Sequence, residues 1–259
     1  MRTETEMGKR AGIIDEVRGI AYILMVLYHI YYDLACVYLI DLPQAIDIVM
    51  RFLQPFIAGT FIFVAGISAN YSRNNFKRGA LYFFIGMMFT FVTSVVMPSE
   101  IILFGVLHFI GIAAMIYGFI GRFTEKIPAW LGVFLFGLLY FVTISIPRGY
   151  IGFDGIFRMN LPEALYSSPN LFPLGFPDRG FSSADYFPII PNLFLFLAGS
   201  SLGTLFKSGR MAKGMYMVRF GGLAFIGRHG IWIYILHQPV ILLVLELIFK
   251  LCGMPTLFL

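Results

Sequence analysis

The chain has 259 residues, of which 59% are hydrophobic, 17% aromatic and 13% charged, with a mean hydropathy of +0.82 and a net charge of +5. A soluble domain carries roughly 25% charged residues, so this composition excludes an ordinary soluble fold and points to a polytopic membrane protein. The basic residues are spread over several segment ends rather than gathered in one patch, which excludes a nucleic-acid-binding surface and reads instead as a topology signal.

The first ten residues are polar, and no small-residue cleavage site follows in the first apolar segment, so no cleavable leader is expected. A membrane-spanning helix needs about 20 mostly apolar residues. On that rule seven spans are predicted, at Ile14–Ile40, Gln44–Tyr71, Gly79–Met97, Ile101–Gly121, Pro128–Ile146, Pro188–Phe206 and His229–Leu251. The fold class expected is therefore all-α, a polytopic transmembrane helix bundle forming a single domain over 1–259.

The connectors alternate in charge. Lys9, Arg10 and Arg18 stand at the start of the first span. Arg73, Lys77 and Arg78 follow the second, Arg122 and Lys126 the fourth, and Lys207, Arg210, Lys213 and Arg219 the sixth. Connectors 41–43 and 98–100 hold no Lys or Arg. The positive-inside rule then puts the N-terminus in the cytoplasm and the C-terminus outside. The Asn70-Tyr71-Ser72 sequon falls on the cytoplasmic side in this scheme and is discounted. The connector 147–187 is long and rich in Pro, Gly and Phe. Its aromatic content argues for an ordered cap on the outer face, with interfacial or re-entrant pieces.

Within the first span Arg18, Tyr22, Met25, His29 and Asp33 follow at steps of four, three, four and four, a single stripe on one helix face. At 1.5 Å per residue His29 lies roughly 15 Å into the apolar run. Ionisable residues at that depth are by default functional and face a cavity. A carboxylate one turn away, Asp33, is expected to hydrogen-bond the imidazole and suit it to act as a general base. The fourth span carries His108 near its outer end, with small residues Gly105, Ala114 and Gly118 that suit close packing. The sixth opens at Asp185, Pro188, Pro191 and Asn192. The seventh carries Arg228 and His229 at its start and Tyr234, His237, Gln238 and Pro239 within. Pro239 removes a backbone donor and frees the carbonyl of Ile235, which in a membrane must be met by protein or water. Glu246 further along has no evident partner. The two cysteines, Cys36 and Cys252, make no metal framework, and no P-loop, dinucleotide fingerprint or H-E-x-x-H motif occurs, so no metal site is expected.

Five stretches in order, "IDEVRGIAYILMVLYHIYYDL", "FIFVAGIS", "GVLHFIGIAAMIYG", "DYFPIIPNLFLFLAG" and "GRHGIWIYILHQPVI", resemble the bacterial relatives of the heparan-alpha-glucosaminide N-acetyltransferase catalytic domain, within the transmembrane acyltransferases. The resemblance runs from about Ile14 to Leu251. It implies transfer of an acetyl or related acyl group from acyl-CoA to an amine or hydroxyl of a sugar-type acceptor, in a bacterial or archaeal cell membrane. It implies an intramembrane catalytic His, matched here by His29, with His237, Gln238 and Pro239 matching the closing H-Q-P. Catalytic residues are then expected to be His29, Asp33 and His237. Those expected to touch acyl-CoA or acceptor are Arg18, Tyr22, His108, Asp185, Asn192, Arg228, Tyr234 and Gln238. Partners are the bilayer, the donor, the acceptor and, left open, a second copy of the chain. A proton-coupled transporter or a non-catalytic membrane scaffold is the alternative reading of the same intramembrane residues.

Overall fold

The computed structural model describes residues 11–257. Lys9 and Arg10, counted above among the basic residues before the first span, lie outside them. The described chain is all-α but for one short hairpin. Its helices are α1 (Gly12–Tyr32), α2 (Gln44–Ala69), α3 (Asn75–Val96), α4 (Val106–Thr124), α5 (Ala129–Thr143), α6 (Ile189–Lys207), α7 (Gly221–Arg228) and α8 (Gly230–Leu251). α1 continues into a wider π-helical turn, Asp33–Val37. The hairpin pairs β1 (Tyr150–Phe153) with β2 (Phe157–Asn160).

Among the described residues seven stretches are long and apolar enough to cross a membrane: Gly12–Val37, Gln44–Ala69, Asn75–Val96, Val106–Thr124, Ala129–Arg148, Ile189–Lys207 and Gly230–Leu251. The protein is thus an all-α polytopic membrane protein with seven spans. Two boundaries differ from the sequence expectation for local reasons. α3 starts four residues earlier than Gly79 because Asn74 caps it, its side chain accepting the Lys77 N–H at 2.9 Å. α4 starts later than Ile101 because 101–105 is extended. There the Ile101 and Phe104 carbonyls accept the N–H groups of Ala184 and Phe187 at 3.0 and 2.8 Å.

The chain divides into two compact units, residues 11–61 with 211–257 and residues 62–210, the break falling inside α2. In the first unit α1 and α8 run side by side in the same direction. Tyr22 meets Gly230, His29 meets His237, Asp33 meets Gln238 and Tyr38 meets Glu246. α7 crosses the start of α1 so closely that a Cβ on Gly19 would fall 2.1 Å from the Leu223 carbonyl oxygen, an approach only a residue without a side chain permits. Glu16, buried on α1, accepts the N–H groups of Arg219 and Phe220 and so caps the start of α7 with a carboxylate, where a helix favours negative charge.

In the second unit the end of α2 runs parallel to α6, Phe63 meeting Gly199 and Ile67 meeting Gly203. Asn70 of the sequon is buried here. Its amide donates to the Ser200 carbonyl at 2.9 Å, and its oxygen accepts from the Tyr117 hydroxyl at 3.3 Å. α3 and α4 pack antiparallel, with Gly79 against Gly111 and Gly86 against His108. First with seventh and second with sixth are the span pairs that an alternating seven-span chain makes parallel.

Candidate functional site

The site begins with the stripe on α1. Its residues share one face because steps of three and four return a helix to the same side. α8 lies along that face, so the two rows come into register.

His29 and His237 meet edge to face, ring centroids 4.6 Å apart and planes at 79°. Each ring is anchored through its Nδ1. His29 Nδ1 donates to the Met25 carbonyl at 2.9 Å, and His237 Nδ1 to the Tyr234 carbonyl at 2.7 Å. A carbonyl only accepts, so each Nδ1 carries the hydrogen and each Nε2 is left as the basic lone pair. His237 Nε2 is buried without a hydrogen-bond partner among the described residues, and so is the adjacent Gln238 Oε1. Buried polar atoms are nearly always satisfied, so each of these two acceptors is open to a polar guest.

Asp33 does not bond His29 as the spacing suggested. The carboxylate turns to α8, where Gln238 Nε2 donates to both of its oxygens at 2.8 and 3.0 Å. The cause is local. The helix widens into the π turn at Asp33–Val37, while the His29 ring is already committed to the carbonyl one turn back. Single π turns are frequent at functional sites. Tyr234 stands beside His237, ring centroids 5.6 Å apart, and Tyr22 packs against Phe61 at 4.8 Å and covers Gly230.

At the start of α1 the two arginines expected to meet a donor's phosphates share one carboxylate. Buried Asp15 takes Arg18 Nη1 at 3.2 Å and Arg228 Nε at 3.0 Å, and Arg18 also donates to the Gly227 carbonyl at 3.3 Å. Asp15 was not singled out in the sequence. Its signal was its place one turn before Arg18 at the edge of an apolar run. Arg228 is the more open of the two, and Lys213 and Arg219 nearby in the chain are exposed.

The remaining expected residues lie in the second unit and are drawn into its framework. His108 is buried at the start of α4, where its Nδ1 accepts the Gly105 N–H at 3.2 Å. Its Nε2 faces Thr90 Oγ1 at 3.3 Å, and that hydroxyl donates to the Ile102 carbonyl at 2.5 Å. Both ring nitrogens are thus in use. Asp185 accepts the Val106 N–H at 2.9 Å. Burial pushes its carboxyl up to about 6, against the pull of that N–H. Asn192 donates to the Pro188 carbonyl at 2.8 Å. No group of three or more His, Cys, Asp or Glu among the described residues is arranged to hold a metal ion.

Residues 10–239 match the family described as heparan-alpha-glucosaminide N-acetyltransferase, catalytic. The chain belongs to that family. No curated protein and no solved structure matches it. Membership in the heparan-alpha-glucosaminide N-acetyltransferase catalytic family implies a transferase of membrane acyltransferase type, and the matched region ends at Pro239, the last residue of the H-Q-P.

Proposed function

We propose that the chain transfers an acetyl or other acyl group from acyl-CoA on the cytoplasmic side to an amine or hydroxyl of a sugar-type acceptor on the outer side of a bacterial or archaeal cell membrane. The observation that carries this reading is the pair of imidazoles with anchored Nδ1 atoms, one of them presenting a buried, unpartnered Nε2 at membrane depth. Acyl transfer requires that the acceptor lose a proton as its nitrogen or oxygen attacks the thioester carbonyl. His29 Nε2 takes that proton. The new C–N or C–O bond forms, the C–S bond breaks, and the proton passes to the departing thiolate. In the covalent variant of the same chemistry, His29 Nε2 attacks the thioester carbonyl and the C–S bond breaks to release the thiolate; the acceptor then attacks the acyl-imidazole, its proton passing to His237 Nε2 as the N–acyl bond breaks. His237 stands next to His29 to relay the proton, and the Asp33–Gln238 contact positions α8 against α1.

Arg228 and Arg18, with the exposed Lys213 and Arg219, hold the donor's phosphates, an arginine offering donors beyond those that Asp15 engages. Tyr22 and Tyr234 line the passage beside the rings. Asp185, His108 and Asn192 are assigned to the framework on the acceptor side. The test is transfer of label from radiolabelled acetyl-CoA to a panel of amino sugars by purified protein, wild type against His29→Ala. Wild type transfers label. The variant binds the donor and fails to transfer, with a loss of about 10²–10⁴-fold for a general base. Equal transfer by both removes His29 from the mechanism. A wild-type protein that binds no acyl-CoA overturns the acyltransferase reading.

A further inference from the structure

The hairpin that follows the fifth span has no part in the proposed chemistry, and its two faces differ sharply. In an antiparallel pair, opposed residues share a face and successive pairs alternate. Phe153↔Phe157 and Ile151↔Met159 fall on one face, Tyr150↔Asn160 and Gly152↔Arg158 on the other. The second face closes on itself. The Arg158 guanidinium lies 4.1 Å over the Tyr150 ring and donates to Asn160 at 3.1 Å and Asp154 at 3.3 Å, while the Tyr150 hydroxyl donates to Asp154 at 2.8 Å. The first face is apolar throughout and, apart from the half-buried Ile151, open. Phe153 is 38% exposed, Phe157 56%, Met159 50%, and Ile156 in the turn 87%. A two-stranded ribbon cannot bury such a face by itself.

The connection to the membrane says what covers it. The fifth span ends at Arg148, and β1 begins at Tyr150. Two residues reach about 7 Å at most, no more than the roughly 5–7 Å depth of a headgroup layer. The hairpin's base is tied down there as well, the Leu161 N–H donating to the Gly149 carbonyl at 2.8 Å. The lipid-facing row of the fifth span, Leu138, Phe141 and Ile144, all exposed, leads directly to the ribbon. Arg148 and Arg158 are both exposed at the same end, where a guanidinium can pair with lipid phosphate. We infer that this hairpin is a bilayer anchor: it lies in the interface with Phe153, Ile156, Phe157 and Met159 in the acyl-chain boundary and Arg158, stacked over the buried Tyr150, toward headgroups and water. The start of the long outer connector is thereby fixed to the membrane surface on one side of the fifth span.

The test uses the full chain in nanodiscs, with Trp130 and Trp232 replaced by Phe and a single reporter introduced as Phe157→Trp or Asn160→Trp. Brominated lipid quenches Phe157→Trp and leaves it shielded from aqueous acrylamide, whereas Asn160→Trp loses its emission to acrylamide and not to bromine. Phe153→Trp, the cross-strand neighbour on the same face, repeats the first pattern and guards against a local disturbance at 157. Acrylamide quenching that is equal at all three positions overturns the anchor. Shielding of Phe157→Trp and Phe153→Trp without bromine quenching also overturns it, and assigns the face to a protein surface instead.

Discussion

Gln238 holds Asp33 from the neighbouring helix, its Nε2 lying 2.8 and 3.0 Å from the two carboxylate oxygens. Asp33 is fully buried, and a hydrogen bond typically contributes about 0.5–1.5 kcal/mol. The contact fixes how far α8 sits along α1, and therefore where His237 meets His29. Gln238→Ala should lower thermal stability in detergent and reduce transfer by up to about 10²-fold, the cost of misplacing reacting groups by about 1 Å. Gln238→Glu, which replaces the donating amide with a second carboxyl group, should also lower both measures. A Gln238→Glu protein as stable and active as wild type would show that this contact does not position the site.

The two histidines should act as one unit. If His237 serves the proton that His29 takes, His237→Ala loses much of the activity, and the double variant loses little beyond the worse single variant, as residues of one catalytic unit do. Independent roles would instead multiply the two losses. The measurement is a double-mutant cycle on the rate of label transfer, with donor binding followed separately.

Much of the framework was legible in the sequence because the bilayer imposes it. Spans must be apolar and about 20 residues long, and in all of the seven expected segments but the third and fourth both ends fall within three residues of an apolar helical stretch in the structure. The stripe on α1 followed from spacing alone. What was not legible depends on partners far apart in the chain. Asp33 choosing Gln238 over His29 needs the π turn, which leaves no mark on composition. Asp15 gathering Arg18 and Arg228 joins residues more than 200 positions apart. Glu246, without an evident partner in the sequence, accepts the Tyr38 hydroxyl at 2.7 Å and the Leu257 N–H at 2.7 Å, a clasp between the first connector and the C-terminal segment. The hairpin escaped notice because its alternating pattern spans only four residues per strand.

Gly230 owes its identity to Tyr22. A Cβ at 230 would stand 1.9 Å from the Tyr22 ring carbon Cε2, well inside contact distance. Gly230→Ala should therefore cost about 1–3 kcal/mol, as overpacking of a tight interior does. Tyr22→Ala removes the ring and should restore most of the loss when combined with Gly230→Ala. Melting of the four proteins in detergent measures this. A double variant no more stable than Gly230→Ala would place the strain elsewhere.

Asp185 should make the contact at the start of α4 sensitive to pH. Its carboxyl titrates near 6 in the folded protein and near 3.8 when free of the fold, so the folded state holds the proton more tightly. The stabilisation is fully present below about pH 4 and is lost as pH rises through about 6. At 1.36 kcal/mol per unit the difference is roughly 3 kcal/mol. Acidification from pH 7 toward pH 5 should raise the melting temperature of the wild type relative to Asp185→Asn, whose neutral amide cannot titrate. Parallel pH profiles for the two proteins would rule out this carboxyl as the source.

The orientation of the spans decides which face meets the donor. Arg78 stands in the first turn of the third span, Lys213 follows the sixth, and Asp154 sits in the hairpin after the fifth. Basic connectors are retained on the cytoplasmic side, so Arg78 and Lys213 should be cytoplasmic and Asp154 outside. Arg228 and the Asp15 cluster then face the compartment that supplies acyl-CoA, and an acyl group moves outward past the paired histidines. The measurement is cysteine labelling with an impermeant maleimide in sealed, right-side-out vesicles. Cys36 and Cys252 are both exposed and must first be replaced by Ser. Asp154→Cys should label in intact vesicles, and Arg78→Cys and Lys213→Cys only after permeabilisation. Labelling of Lys213→Cys from outside would invert every span. The arginines would then face away from the donor, and the outward direction of transfer would have to be given up even if the histidine chemistry survived.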